Sequence, residues 1–130
     1  MTEASPLRAF LVDDEPLAIE RLQRLLAQFP QIHITGIATD PAEAVITLNT
    51  AGQAIDVLFL DIQMPGMNGF ELLSRLAAQP FVIFTTAYDQ HALRTFETNT
   101  IDYLLKPIEP EQLKHTLKKL RHLHPITKPN

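Results

Sequence analysis

Asp13, Asp14 and Asp61 are carboxylates, Thr85 and Thr86 carry hydroxyls, Lys106 carries an ammonium, and each closes a short apolar run. Taken singly these are ordinary residues. An aspartate after such a run commonly caps a helix or shapes a turn, and a lysine before a proline commonly lies in a solvated loop. Their shared setting distinguishes them: Asp13-Asp14 follow LRAFLV, Asp61 follows DVLFL, the threonines close PFVIFTT, and Lys106 follows IDYLL. Caps and turns would not select one pattern of charge at four such ends. Brought together, the carboxylates would repel, raise one another's pKa values and titrate as a coupled set. A divalent cation relieves that repulsion. Mg2+ suits the group best, because it takes a few carboxylate or carbonyl oxygens and keeps several waters.

The elements that would gather these residues follow from apolar runs alternating with amphipathic stretches. Leu7–Val12 predicts a strand stopping at Asp13-Asp14-Glu15-Pro16, and residues 17–29 predict a helix with Leu22, Leu25 and Leu26 at helical spacing, ended by Pro30. Ile32–Ala38 alternates as a strand, and Asp40-Pro41 reads as an N-cap and first residue of a helix reaching about Thr50. Residues 56–60 (DVLFL), almost wholly apolar, predict a strand buried on both faces. Asn68-Gly69 opens a helix expected to run to Ala78, residues 80–85 predict the fourth strand, residues 89–97 a helix, and residues 101–105 the fifth strand. Glu109-Pro110 starts a last helix with an inner stripe of Leu113, Leu117 and Leu120. Strands separated by helices of about ten residues indicate βαβ units and a parallel sheet, with right-handed crossovers covering both faces. The expected fold is a doubly wound α/β domain, whose ligands bind outside the carboxyl ends of the strands. That is where the polar residues above would stand.

Composition bounds the rest. The chain has 130 residues, 45% hydrophobic and 20% charged, which is one domain's worth of core. With no cysteine there is no disulfide framework, thiolate metal site or cysteine nucleophile. No apolar run approaches the roughly 20 residues of a membrane span, and no stretch at the N-terminus reads as a signal peptide, so a cytoplasmic location is expected. A net charge of −4 gives the whole chain no electrostatic case for holding nucleic acid.

Four motifs, in order and each after a strand, carry a resemblance: VDDEP at Val12–Pro16, FLDIQMPGMNG at Phe59–Gly69, FTTA at Phe84–Ala87 and YLLKP at Tyr103–Pro107. Over roughly residues 6–124 the sequence resembles the receiver domain of two-component response regulators, and TTAYDQHAL with IDYLLKPIEPEQL looks most like those with a LytTR-type DNA-binding output. The resemblance implies a flavodoxin-like (βα)5 three-layer sandwich with a parallel sheet of order 2-1-3-4-5. It implies Asp61 as phosphoacceptor for a sensor histidine kinase, with Mg2+ held by Asp13, Asp14, Asp61 and the backbone carbonyl of Gln63. Thr86 would bind a phosphoryl oxygen, Thr85 being the less suited of the pair because one step along a strand points it elsewhere. Lys106 would pair with the phosphoryl group, its bond to Pro107 would be cis, and Tyr103 would be an aromatic switch coupled to Thr86. Tyr88 reads either as a shield that keeps water from the phosphate or as a plain loop aromatic. Such a domain is a phosphoacceptor, not an enzyme, apart from self-phosphorylation by small donors and self-dephosphorylation.

Other readings fit less well. A haloacid-dehalogenase-type phosphatase wants two aspartates two residues apart after its first strand, whereas Asp13 and Asp14 are adjacent and no room is left for a cap. Phosphate-cradling GxGxxG or GxxxxGK[ST] loops are missing. A receiver-like scaffold never phosphorylated is at odds with the complete acidic set. His33, His91, His115, His122 and His124 lack metal-ligand spacing and read as solvated. Residues 125–130, with two prolines and no apolar periodicity, are expected to be a linker to an output domain beyond this chain, the alternative being a stand-alone receiver acting by protein contact. Phosphorylation is expected to favour a homodimer through Tyr103 and the charged residues Asp89, Glu97, Lys114, Lys118 and Arg121.

Overall fold

Every residue of the strand Val57–Asp61 (β3) is buried, as a run with no polar side before its last residue requires. In the computed structural model, which describes residues 6–50, 55–87 and 100–123, β3 is the centre of a five-stranded sheet. The other strands are Leu7–Val12 (β1), Ile32–Ala38 (β2), Phe81–Thr86 (β4) and Thr100–Leu105 (β5), in the order β2-β1-β3-β4-β5. All four pairings are parallel. Among the described residues four helices cover the sheet: Pro16–Leu26 (α1), Pro41–Thr50 (α2), Gly69–Ser74 (α3) and Pro110–Leu123 (α4).

Alternation along the strands divides the core in two. Ala9, Leu11, Val57, Phe59, Ile83 and Leu104 face α1 and α4, whose Leu22, Leu26, Leu113, Leu117 and Leu120 complete one layer. Phe10, Val12, Leu58, Leu60, Phe84 and Tyr103 face the other way, toward Ala44 of α2 and Leu72 and Leu73 of α3. The result is the expected flavodoxin-like three-layer arrangement, with the order 2-1-3-4-5. The helix expected over residues 89–97 lies outside the described residues, as do Tyr88, the acidic Asp89 and Glu97, and residues 124–130.

Element ends differ from the sequence expectation for local reasons. The first helix takes Pro16 into its first turn and stops at Leu26, not Phe29. Beyond it, the Gln28 and Phe29 amides donate to Leu25 and Leu26 carbonyls, a tighter winding typical of a helix end before proline. The third helix begins at a capping box, Asn68 and Glu71 each accepting the other's backbone N–H, but ends at Ser74, well short of Ala78. Asn49 of α2 explains the stop. Its side-chain amide donates to the Arg75 carbonyl at 2.9 Å and accepts from the Ala77 N–H at 2.8 Å, taking two backbone groups that a longer helix would pair internally. The third strand includes Asp61, in register with Thr85, and the Ile62 amide donates to the Thr85 carbonyl at 2.9 Å. Asp61 is therefore held by the sheet ladder itself.

Candidate functional site

The carboxyl ends of β1, β3, β4 and β5 place the chemistry-bearing residues at one edge. Asp13 follows β1 directly and its amide donates to the Ala38 carbonyl at the end of β2. One of its oxygens, Oδ1, accepts the Glu15 N–H at 3.0 Å in a short turn, which directs Oδ2 elsewhere. That oxygen lies 2.9 Å from Nζ of Lys106. The same ammonium is 3.4 Å from Glu15 Oε1 and 3.6 Å from Asp61 Oδ1. Asp13 and Asp61 are buried and Asp14 is half-buried, and a carboxylate oxygen from each of the three lies within 4.8 Å of the others. Among the described residues no other group of carboxylates or imidazoles converges in this way.

Crowding perturbs Asp61 and Lys106 in a definite direction. Burial, with the Asp13 charge next, pushes the Asp61 carboxyl up to about 7; Lys106 pulls it down, and Asp14 adds to the rise. For Lys106, burial alone would lower the pKa, but the hydrogen bond to Asp13 and the charges of Asp13, Asp61 and Glu15 outweigh it and raise it. One ammonium thus leaves the carboxylates short of positive charge. A cluster made only of carboxylate oxygens, with no sulfur or imidazole, fits a hard divalent cation such as Mg2+.

Lys106 reaches the acids because its backbone is fixed: its amide donates to the Thr86 carbonyl at 2.7 Å, and the Lys106–Pro107 bond is cis, as expected. The two threonines diverge. Thr85 lines a cleft of about 420 Å³ with Asp13, Glu15 and Lys106. Thr86, fully buried, donates its hydroxyl to the Gln63 side-chain oxygen at 3.0 Å. Two steps back along β4, Phe84 stacks on Tyr103 with centroids 5.3 Å apart and an interplanar angle of 17°, and packs against Phe70 at 4.8 Å. Tyr103 is buried, so its ring is turned inward here.

Two features carry no role in the sequence reading. Glu15 stands in VDDEP, where its charge is visible, but its approach to Lys106 spans 91 positions and needs the fold. Asp102 accepts the Thr116 hydroxyl at 2.7 Å and the Lys119 ammonium at 3.2 Å, tying α4 to β5, with no motif to announce it. The histidines His33, His115 and His122 are exposed, and His91 and His124 lie outside the described residues.

Comparison with known proteins agrees with this layout. The chain is 46% identical to an uncharacterized response regulatory protein of Vibrio cholerae, over 95% of this chain and 55% of that protein. It is 43% identical to the transcriptional regulatory protein BtsR of Salmonella typhi, over 88% of this chain and 48% of that protein. The chain thus spans about half the length of these relatives. Among solved structures, the response regulatory domain of protein mrkE from Klebsiella pneumoniae superposes with a TM-score of 0.75 at 32% identity, covering 90% of this chain and 97% of that one. No helix among the described residues is long and apolar enough to cross a membrane. The family model for the response regulator receiver domain matches residues 9–118. That span runs from β1 through Asp13, Asp61 and Lys106 into α4, and the chain belongs to the response regulator receiver domain family.

Proposed function

We propose that this domain acts in the cytoplasm, where Asp61 accepts a phosphoryl group from a sensor histidine kinase and the resulting charge switches the domain's contacts. The observation that carries the reading is the convergence of carboxylate oxygens of Asp13, Asp14 and Asp61 within 4.8 Å of one another, with the Lys106 ammonium 2.9 Å from Asp13 and 3.6 Å from Asp61. An Asp61 oxygen attacks phosphorus as the bond to the donor histidine nitrogen breaks, and that nitrogen leaves with the bonding pair. Asp13, Asp14, Asp61 and the backbone carbonyl of Gln63 would hold Mg2+, which supplies positive charge to the transferring group and to the acids around it. Lys106 supplies a second positive centre, and Thr86 a hydroxyl for a phosphoryl oxygen. Recruiting Thr86 would cost its bond to Gln63, and Thr86 shares a sheet face with Phe84 and Tyr103. That continuity supports Thr86 and Tyr103 as the switch.

The output belongs to the same proposal. Relatives about twice as long as this chain, one of them called a transcriptional regulatory protein, support a receiver that controls a C-terminal DNA-binding domain, which the resemblance carried by TTAYDQHAL and IDYLLKPIEPEQL makes one of LytTR type. The domain itself is a phosphoacceptor that turns over its own phosphate and binds no DNA. Labelling with radioactive acetyl phosphate tests the reading. Label is expected only with Mg2+, weakly in Asp14→Ala and not at all in Asp61→Asn; label that persists in Asp61→Asn overturns it.

A further inference from the structure

The segment from Lys106 to Ile108 is met twice by residues 13–21. Its ammonium meets Asp13 at 2.9 Å and Glu15 at 3.4 Å, just before α1 begins at Pro16. Five residues into α1, the Arg21 guanidinium crosses to the segment after β5 and donates to the Ile108 carbonyl at 2.7 Å. Pro107 between them has no N–H to donate. The Lys106–Ile108 segment is therefore anchored to the rest of the fold by the Lys106 amide on Thr86 at one end and by Arg21, together with the buried Ile108 side chain, at the other.

We infer that Arg21 is a positioning residue for Lys106: by fixing the backbone two residues on, it holds the ammonium at the strand ends, where phosphoryl transfer is proposed. The inference rests on the phosphoacceptor reading for its effect on rate, though not for its effect on the loop. A charged donor on a carbonyl is stronger than a neutral one, and a guanidinium is always charged, so this anchor does not vary with pH. Its donor is also carried by the helix that follows the acidic residues. Any shift of the Lys106 segment relative to Asp13 must stretch the Arg21 bond as well as the ion pair.

Arg21→Met keeps most of the aliphatic stem and removes the donor. Without the anchor, acetyl phosphate labelling of the 130-residue chain is expected to slow by about tenfold, the scale of a small misplacement at a reacting centre. Arg21→Lys, which can still donate to the carbonyl, should recover much of the rate. In a Lys106→Ala background Arg21→Met should cost nothing further, because the group it positions is gone; a merely destabilising role would give the same loss in both backgrounds. A second readout is independent of phosphorylation: exchange of the Lys106 amide hydrogen should speed up several-fold in Arg21→Met. Failure of the parent chain to label overturns the phosphoacceptor reading alone, and amide exchange then decides the anchor. Unchanged exchange, parental labelling by Arg21→Met, or an undiminished loss in the Lys106→Ala background overturns the inference.

Discussion

The ammonium of Lys106 lies closer to Asp13, at 2.9 Å, than to Glu15 at 3.4 Å or Asp61 at 3.6 Å. Asp13 is thus the residue that holds the lysine, while Asp61, at 3.6 Å, keeps an oxygen less firmly engaged. The arrangement leaves the proposed nucleophile with a carboxyl pushed well above its ordinary range.

Removing the lysine should therefore act on Asp61 through charge. Lys106 lowers the Asp61 pKa against burial and the neighbouring acids, so Lys106→Met should move that pKa above its present value of about 7. Carbon-detected NMR titration of the Asp61 carboxyl reads this directly. A midpoint unchanged or lower in the variant would contradict the role assigned to the ammonium.

Asp61 also makes stability depend on pH in a stated direction. Its folded pKa of about 7 lies above the ordinary 3.8, so between those values the folded chain binds more protons than the unfolded one. Stability is expected to fall as pH rises from about 4 to 7, with the full penalty above that window, at most about 4 kcal/mol. Asp61→Asn should flatten the slope and melt higher than the parent at pH 8 without divalent cation. Thermal melts across pH 4–8 in chelator check both; parallel curves for the two proteins would sink the argument.

Gly69 ties the third helix to the same residue. A Cβ there would stand 2.8 Å from the Asp61 carbonyl oxygen and 3.2 Å from the Ile62 Cα, both backbone atoms with little room to yield. Gly69→Ala should cost about 1–3 kcal/mol by overpacking and displace Asp61 from its register with Thr85. Chemical denaturation gives the first effect and acetyl phosphate labelling the second. A variant as stable and as readily labelled as the parent would show that the backbone gives way freely.

Phosphorylation is expected to favour a homodimer through the face that carries β5 and α4. Lys114, Lys118 and Arg121 are exposed on that helix and available for contact with acids of a second copy. Sedimentation with Mg2+ and beryllofluoride, which mimics the phosphoryl group, should show a shift toward dimer. A monomer unchanged at high micromolar concentration would remove dimerisation from the mechanism.

Much of this was present in the order of residues. Apolar runs such as LRAFLV and VLFL are too short for helices and are bounded by turn residues, so they read as buried strands, and the polar residues that end them then share one edge of a parallel sheet. Asp13, Asp14, Asp61, Thr86 and Lys106 were legible for that reason, because strand position is a local property and the crossover rule supplies the rest. Which of them touch was not legible. The Lys106 ammonium could meet any acid at the edge, and only the turn in which Glu15 N–H occupies Asp13 Oδ1 selects Asp13 Oδ2. Helix length was decided in the same way, since α3 has apolar spacing beyond Ser74 but loses its next backbone groups to Asn49. The Arg21–Ile108 bond and the Thr116–Asp102 bond depend on how helices seat on the sheet. Periodicity reports which side of an element is apolar, whereas polar partners far apart in the chain are chosen by the distances left after the layers pack.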